Sequence, residues 1–407
     1  MGILYITDWN AKGSGYFSIG LGLIPALTKH TNETIIVLGM NYFGQEYWHE
    51  EFTVIPTEFA HIPARVKHLV ADKELDIDKV IVALDIPLQS QLLVNFPRQQ
   101  REFRYIGILP LDGGPLVREW GLVIGEMDEC FVISKFAQRC CAEAGLSVEY
   151  LPVAVSGYFG HSEPEFRKET RRKFGAENDF IILTVADNQE RKNLSGAMQM
   201  VAEFAKDKPD VEHWIVTRME SQYGWRLETL ARELGTRKIT HFFDRTLPPE
   251  QLFLFYTCAD VLLHTPKAEG LGLPILEAQS VGAIPIATRC SAITELIEEG
   301  SGLFIEPGYE FIDPFGNTRR VFPSIEDGVK KLQLVYDASE YARELMRQHG
   351  RDAVDQRDWN VTAYWLLDIL SRNRVATVGF RNNVPWYSAG YSLEVPDYTY
   401  GDEYIGR

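Results

Sequence analysis

Glu269 and Glu277 bracket the run Gly270-Leu271-Gly272-Leu273-Pro274-Ile275-Leu276. The run follows an apolar, strand-like stretch from Asp260 to His264, and Pro274 suits a first helical turn, where a missing N–H costs little. Two glycines let the backbone approach a ligand closely. N–H groups at a helix start have no intrahelical acceptor and can hold an anion or sugar hydroxyls. A carboxylate accepts two hydrogen bonds, which suits a vicinal diol such as a ribose or hexose edge. A pair of glutamates at this spacing is common by chance, so the strand-then-helix setting gives it its weight. Arg191-Lys192 form the second candidate group, between an apolar run at 180–186 and a helical segment at 193–206. Cations oppose the dipole at a helix start unless an anion lies nearby, so this pair reads as a clamp for an anionic ligand.

The elements that must position these groups come in two alternating series. Short apolar runs at 3–7, 34–38, 80–84, 104–109 and 130–133 are separated by helix-length segments such as 60–74 and 89–102. A second series has strands at 180–186, 212–217, 239–243, 260–264, 284–288 and 303–305, with helices at 193–206, 225–234, 249–257, 273–281, 291–298 and 324–348. Alternation of this kind predicts parallel sheets with right-handed crossovers. The expected architecture is α/β, with two Rossmann-like doubly wound domains facing a central cleft at their strand C-termini. The expected divisions are 1–157, 158–357 and a terminal piece at 358–407. That piece comprises an amphipathic helix at 358–372 and an aromatic tail, expected to pack back on the first domain. The Pro- and Gly-rich stretch 309–323 reads as a surface loop.

The segment 268–278 resembles the E-x7-E signature of retaining GT-B glycosyltransferases of the family-4 type. The resemblance extends through Gly282 to Ala287 and Ser291 to Ile297, and upstream to Val185-Ala186-Asp187 and Glu190 to Asn193. It covers 178–305 and is weak over the first domain. It implies a transfer of a hexose-type sugar from a UDP- or GDP-sugar to an acceptor hydroxyl. Arg191 and Lys192 would bind the diphosphate, with Lys192 also counted as catalytic. Glu277 would hold the ribose and Glu269 would approach the sugar. Backbone groups of Gly270, Leu271 and Gly272 would complete the contacts. The turn Arg245 to Leu247 is expected near the base. Many relatives have Gly-Arg where this chain has Ala186-Asp187, which places more of the phosphate clamp on Arg191 and Lys192.

In the first domain, Gly13, Ser14 and Gly15 follow the first strand and are expected near the donor phosphates; a plain surface turn has about even weight. Gly20, Gly22 and Pro25 weaken the helix that should follow. Asp112, in Leu111-Asp112-Gly113-Gly114-Pro115, stands near where relatives carry a catalytic-site histidine and is expected to face the cleft. Its alternative is a turn-capping Asp. Ser134 reads as a helix N-cap. His161, His241 and His264 lack metal-ligand spacing, and no metal or bound cofactor is expected.

The remaining bounds are compositional. The chain has 407 residues and a net charge of −16, which disfavours a nucleic-acid coat. Nucleic acid enters only as an acceptor, in the alternative of a glycosyltransferase acting on hydroxymethylated bases in viral-type DNA. A non-catalytic nucleotide-sugar-binding module is the other alternative. Five scattered cysteines fit reduced thiols, and no leader or membrane-spanning run is evident, so a cytoplasmic protein is expected.

Overall fold

Valine-, isoleucine- and leucine-rich runs of four to seven residues, buried on both faces, build two parallel sheets. The computed structural model describes residues 2–10, 15–42, 47–48, 52–222 and 224–372. It divides into two units. The first runs to Val153 and resumes at Trp359; the second is Ala154–Asp358.

The first unit holds β1 (Gly2–Asp8), β2 (Thr34–Met40), β3 (Tyr47–Trp48), β4 (Thr53–Pro56), β5 (Ile77–Ala83), β6 (Arg104–Leu109), β7 (Glu129–Val132) and β8 (Glu149–Tyr150). Their order is β3-β4-β2-β1-β5-β6-β7-β8, parallel throughout except for β3 against β4. The helix Gly15–His30 runs unbroken through Pro25, against expectation. Its buried face (Ile19, Leu23, Ile24, Leu27) outweighs the local propensity. Its glycines serve packing. A Cβ on Gly20 would stand 3.0 Å from the Trp9 ring, and one on Gly22 would stand 2.2 Å from the Trp359 ring. Trp359 begins the helix Trp359–Ser371, which packs along Gly15–His30. That helix is also tied down by Thr362 donating to the Pro152 carbonyl at 2.9 Å and Arg104 donating to the Leu370 carbonyl at 2.5 Å. The aromatic tail lies outside the described residues.

The second unit holds β9 (Phe180–Val185), β10 (Val211–Thr217), β11 (Thr240–Asp244), β12 (Val261–His264), β13 (Ile284–Thr288) and β14 (Leu303–Ile305). The order is β11-β10-β9-β12-β13-β14, all parallel. The chain winds outward from β9 through β10 and β11, then returns to place β12 on the other side of β9. The gap between β9 and β12 is therefore the topological switch point, the place where ligands bind in sheets of this kind. Arg191 and Lys192 follow β9, and Glu269 follows β12.

Two expectations are corrected here. Residues 309–323 are not a loop but most of a hairpin, β15 (Pro307–Asp313) against β16 (Thr318–Pro323). The single helix expected at 324–348 is two, Ile325–Asp337 and Glu340–Asp355. Ala338 is extended and Ser339 caps the second helix by accepting from the Ala342 N–H at 3.2 Å. The five cysteines are all buried free thiols. Among the described residues no helix is long and apolar enough to cross a membrane.

The Gly22 contact yields a test. Alanine favours helix, but its Cβ would overlap the buried Trp359 indole, which would have to shift. Gly22→Ala is expected to destabilise the first unit by about 1–3 kcal/mol. Urea unfolding followed by tryptophan fluorescence would show a lower midpoint.

Candidate functional site

Two loops meet at the switch point, and hydrogen bonds lock them together. Asn193 sits in the left-handed region (φ 53°), a conformation Asn tolerates better than most residues. Its amide donates to the Thr265 carbonyl at 3.1 Å, and the Thr265 hydroxyl donates to the Asn193 carbonyl at 3.1 Å. Two residues before Asn193 and two after Thr265, the Lys267 N–H donates to the Arg191 carbonyl at 2.8 Å. The short 3-10 turn Glu190–Lys192 is thus held against the segment after β12 from both sides.

Glu269 occupies the centre. It is buried, and its Oε1 accepts from Lys192 Nζ at 2.5 Å and faces His264 Nε2 at 3.2 Å. Its Oε2 accepts from Arg191 Nη1 at 3.1 Å, and the same guanidinium nitrogen donates to the Ala268 carbonyl at 2.6 Å. The Glu269 N–H donates to the Ser291 hydroxyl at 2.8 Å. Burial opposes ionisation of this carboxyl, but Lys192, Arg191 and His264 together hold it well below the usual carboxylate range. Burial pushes His264 down, partly offset by Glu269, which fits a neutral ring donating from Nε2.

A second carboxylate organises two more arginines. Asp187, just past β9, is buried. It accepts from Arg218 Nε at 2.8 Å and again from the Arg218 Nη2, and it lies 3.6 Å from Arg245 Nη1. Arg218 follows β10 and Arg245 follows β11, so adjacent strand ends each deliver a cation. Burial raises the Asp187 pKa, but the Arg218 hydrogen bonds and the charges of Arg245, Arg218 and Lys192 bring the net shift below normal.

Glu277 is set by the helix Leu273–Val281. Gly272 caps this helix at φ 106°, and Pro274 falls in its first turn. A residue with a side chain at Gly272 would be strained, and its Cβ would press Leu296 at 3.2 Å. One turn in, Glu277 is buried and accepts from the Tyr256 hydroxyl at 2.7 Å. Burial pushes its carboxyl up to about 7, moderated by the Tyr256 hydrogen bond and the Arg245 charge. Gly270, Leu271 and Gly272 are buried between the two glutamates.

The structure brings Arg191, Lys192, Glu269, Gly270, Leu271, Gly272 and Glu277 to the C-terminal side of the central strands β9 and β12 of the second sheet. Asp112 and Gly15 belong to the first unit. Asp112 follows β6 and is half-buried, and Gly15 is the exposed first residue of its helix. Gly13 and Ser14 lie outside the described residues. Ser134 is the expected N-cap, accepting from the Ala137 N–H at 3.2 Å. Sequence reasoning missed Arg218, Tyr256 and the lock at Asn193. Their partners are distant in sequence, and the one local cue was an Asn immediately after Arg191-Lys192.

Residues 166–312 match the family described as Glycosyl transferases group 1. The D-inositol 3-phosphate glycosyltransferase of Corynebacterium urealyticum is 40% identical over 81 residues, which is 20% of this chain and 19% of that protein. The chain spans less than half the length of the curated relatives it matches. Among solved structures, the sucrose-phosphate synthase of Thermosynechococcus elongatus superposes with a TM-score of 0.74 at 14% identity, over 91% of this chain and 98% of that one. Anabaena HepE in complex with UDP-glucose gives 0.69 at 16% identity, over 91% and 99%. The fold matches that of these GT-B glycosyltransferase structures, and the match to the group 1 glycosyltransferase family is confined to residues 166–312.

Two variants test the electrostatics. Glu277 has a folded-state pKa near 7 against about 4.3 in an unfolded chain, so folding takes up a proton between those values. Stability relative to Glu277→Gln should therefore fall as pH rises from about 4 to 7 and level off above, by up to about 3 kcal/mol. Paired denaturant melts across pH would show the converging and diverging curves. Glu269→Gln removes the anion shared by Lys192, Arg191 and His264 and should cost about 3 kcal/mol at neutral pH. The Glu269 contribution should be fully present above the unfolded value of about 4.3 and be lost as pH falls from there through its depressed folded-state pKa.

Proposed function

We propose that the chain is a retaining glycosyltransferase that moves a hexose-type sugar from a UDP- or GDP-sugar to an acceptor hydroxyl. The observation that carries this reading is the cluster of Arg191, Lys192 and Glu269 at the switch point of a group 1 domain. Four cations (Arg191, Lys192, Arg218 and Arg245) converge there in a protein of net charge −16. That suits a diphosphate, whose charge would be shared by fixed donors as the bond to the sugar weakens. Glu277 offers two acceptor oxygens to a ribose diol, and Glu269 offers its carboxylate edge to a sugar hydroxyl.

In the reaction, the bond between the anomeric carbon and the diphosphate oxygen breaks and the electron pair leaves with the phosphate. The acceptor oxygen forms the new bond on the same face, and its proton passes to the departing phosphate oxygen. Arg191 and Lys192 stabilise the charge that accumulates on that oxygen. This scheme uses the two glutamates as ligand holders, not as the acid and base of a hydrolase. The relatives' printed activities include transfer to D-inositol 3-phosphate, so a polyhydroxylated small molecule is the acceptor class to try first. The resemblance of 269–277 to the E-x7-E signature supports the same assignment of roles.

A thermal-shift screen against UDP-, GDP- and ADP-sugars tests the reading, because a ligand that binds only the folded state raises its apparent stability. One of the sugar nucleotides should raise Tm. Arg191→Ala and Lys192→Ala should each weaken its binding about tenfold or more. The anomeric configuration of the product, read by NMR, should match that of the donor. Absence of any nucleotide response would overturn the reading.

A further inference from the structure

The hairpin β15–β16 stands apart from the six-stranded sheet, and two of its rings face the ammonium of Lys267. The Val321 N–H of β16 donates to the Lys267 carbonyl at 3.1 Å, and the Lys267 N–H donates onward to the Arg191 carbonyl at 2.8 Å. The Lys267 ammonium lies 4.1 Å from the Phe322 ring centroid and 5.8 Å from that of Phe311. It is ion-paired to Glu190, the residue before Arg191. Lys267 is 3% exposed. Across the hairpin, Arg320 pairs with Asp313 at 3.4 Å, and both are buried beside Lys267. The opposite face is open, with Glu310, Ile312 and Arg319 exposed.

We propose that the hairpin is a positioning element for the Glu190–Lys192 turn, acting through Lys267. Lys267 joins hairpin to turn by its backbone on both sides and by its ammonium, which bridges two aromatic rings and Glu190. A cation held over rings and out of water is attracted strongly to them, so displacing it is costly. Glu190 is thereby anchored, and Arg191 and Lys192, next in the chain, are aimed at Glu269. Burial pushes the Lys267 ammonium down to about 8, with Asp313 opposing and Arg320 adding to the shift. The neck of the hairpin is independently secured. Ser324 N–H donates to the Glu306 carbonyl at 2.9 Å, and Glu306 N–H donates to Asp327 Oδ2 at 2.8 Å. Residues 307–323 can therefore be replaced by a short glycine linker without parting the elements on either side.

The consequence for donor binding rests on the nucleotide-sugar reading; the positioning itself does not. The test uses the full chain with 307–323 excised, Lys267→Met, Lys267→Arg, and Ile312→Ser on the open face. Hydrogen exchange of the Lys192 and Asn193 amides is measured without ligand, and cooperative melting confirms that each variant is folded. Exchange there should rise about tenfold or more in the excised and Lys267→Met proteins. Lys267→Arg, which keeps a cation over the rings, should restore most of the protection, and Ile312→Ser should leave it unchanged. UDP-glucose and GDP-mannose serve as binding probes, and the affinity for whichever binds should fall about tenfold in the first two variants, with donor KM rising more than kcat falls. Unchanged exchange in both folded variants would overturn the proposal. Raised exchange in a protein whose wild type responds to no sugar nucleotide of the thermal-shift screen would uphold the positioning and remove the donor reading instead.

Discussion

A single buried carboxylate organises the second unit's loops. Glu269 is surrounded by Lys192, Arg191 and His264, and its backbone is fixed by Ser291. Removing either its charge or its partners leaves the others uncompensated in a water-poor setting, where unpaired ions are costly. The loops after β9 and β12 would each be irregular segments with little reason to adopt one shape. The ion cluster, together with the Asn193–Thr265 exchange of hydrogen bonds, gives them a common one.

The same arrangement reconciles an acidic protein with a cationic site. Strand ends of a parallel sheet collect loops from alternate crossings, so residues far apart in sequence arrive side by side. Asp187 holds Arg218 and Arg245, while Glu269 holds Arg191 and Lys192, and each carboxylate keeps long, flexible cations in a narrow range of positions. The cost of ordering those side chains is met during folding rather than when a ligand arrives. Glu277 contrasts with both. Its partner is a neutral hydroxyl, so its charge is not stabilised in the same way.

Much of this was legible in the sequence where the signal is local. The apolar runs at 180–186, 260–264 and 284–288 correspond closely to β9, β12 and β13, because a strand buried on both faces has to be apolar along its length. Arg191, Lys192 and Glu269 stood out because each sits at a strand-to-helix turn, and Glu277 because it falls one turn into the helix that follows. Asp187 registered only as a departure from a family pattern. Its pairing with Arg218, 31 residues away, is a fact of sheet order that no local window contains. The hairpin was misread because prolines, glycines and charges mask its alternation. The inward set is Phe311, Asp313, Thr318, Arg320 and Phe322, and its ionic members are buried by pairing with each other. The helix through Pro25 was undervalued because the sequence does not show that two indoles need the space its glycines leave.

The chain leaves the first unit at Val153 and re-enters it at Trp359, so the second unit is an insertion within the first. A ribosome emits the helix Gly15–His30 more than three hundred residues before the indole that fills the notch at Gly22. Domains ordinarily fold in the order they emerge. Here the guest is complete before its host can be, and the nascent first unit carries an unfilled groove through the whole synthesis of the second.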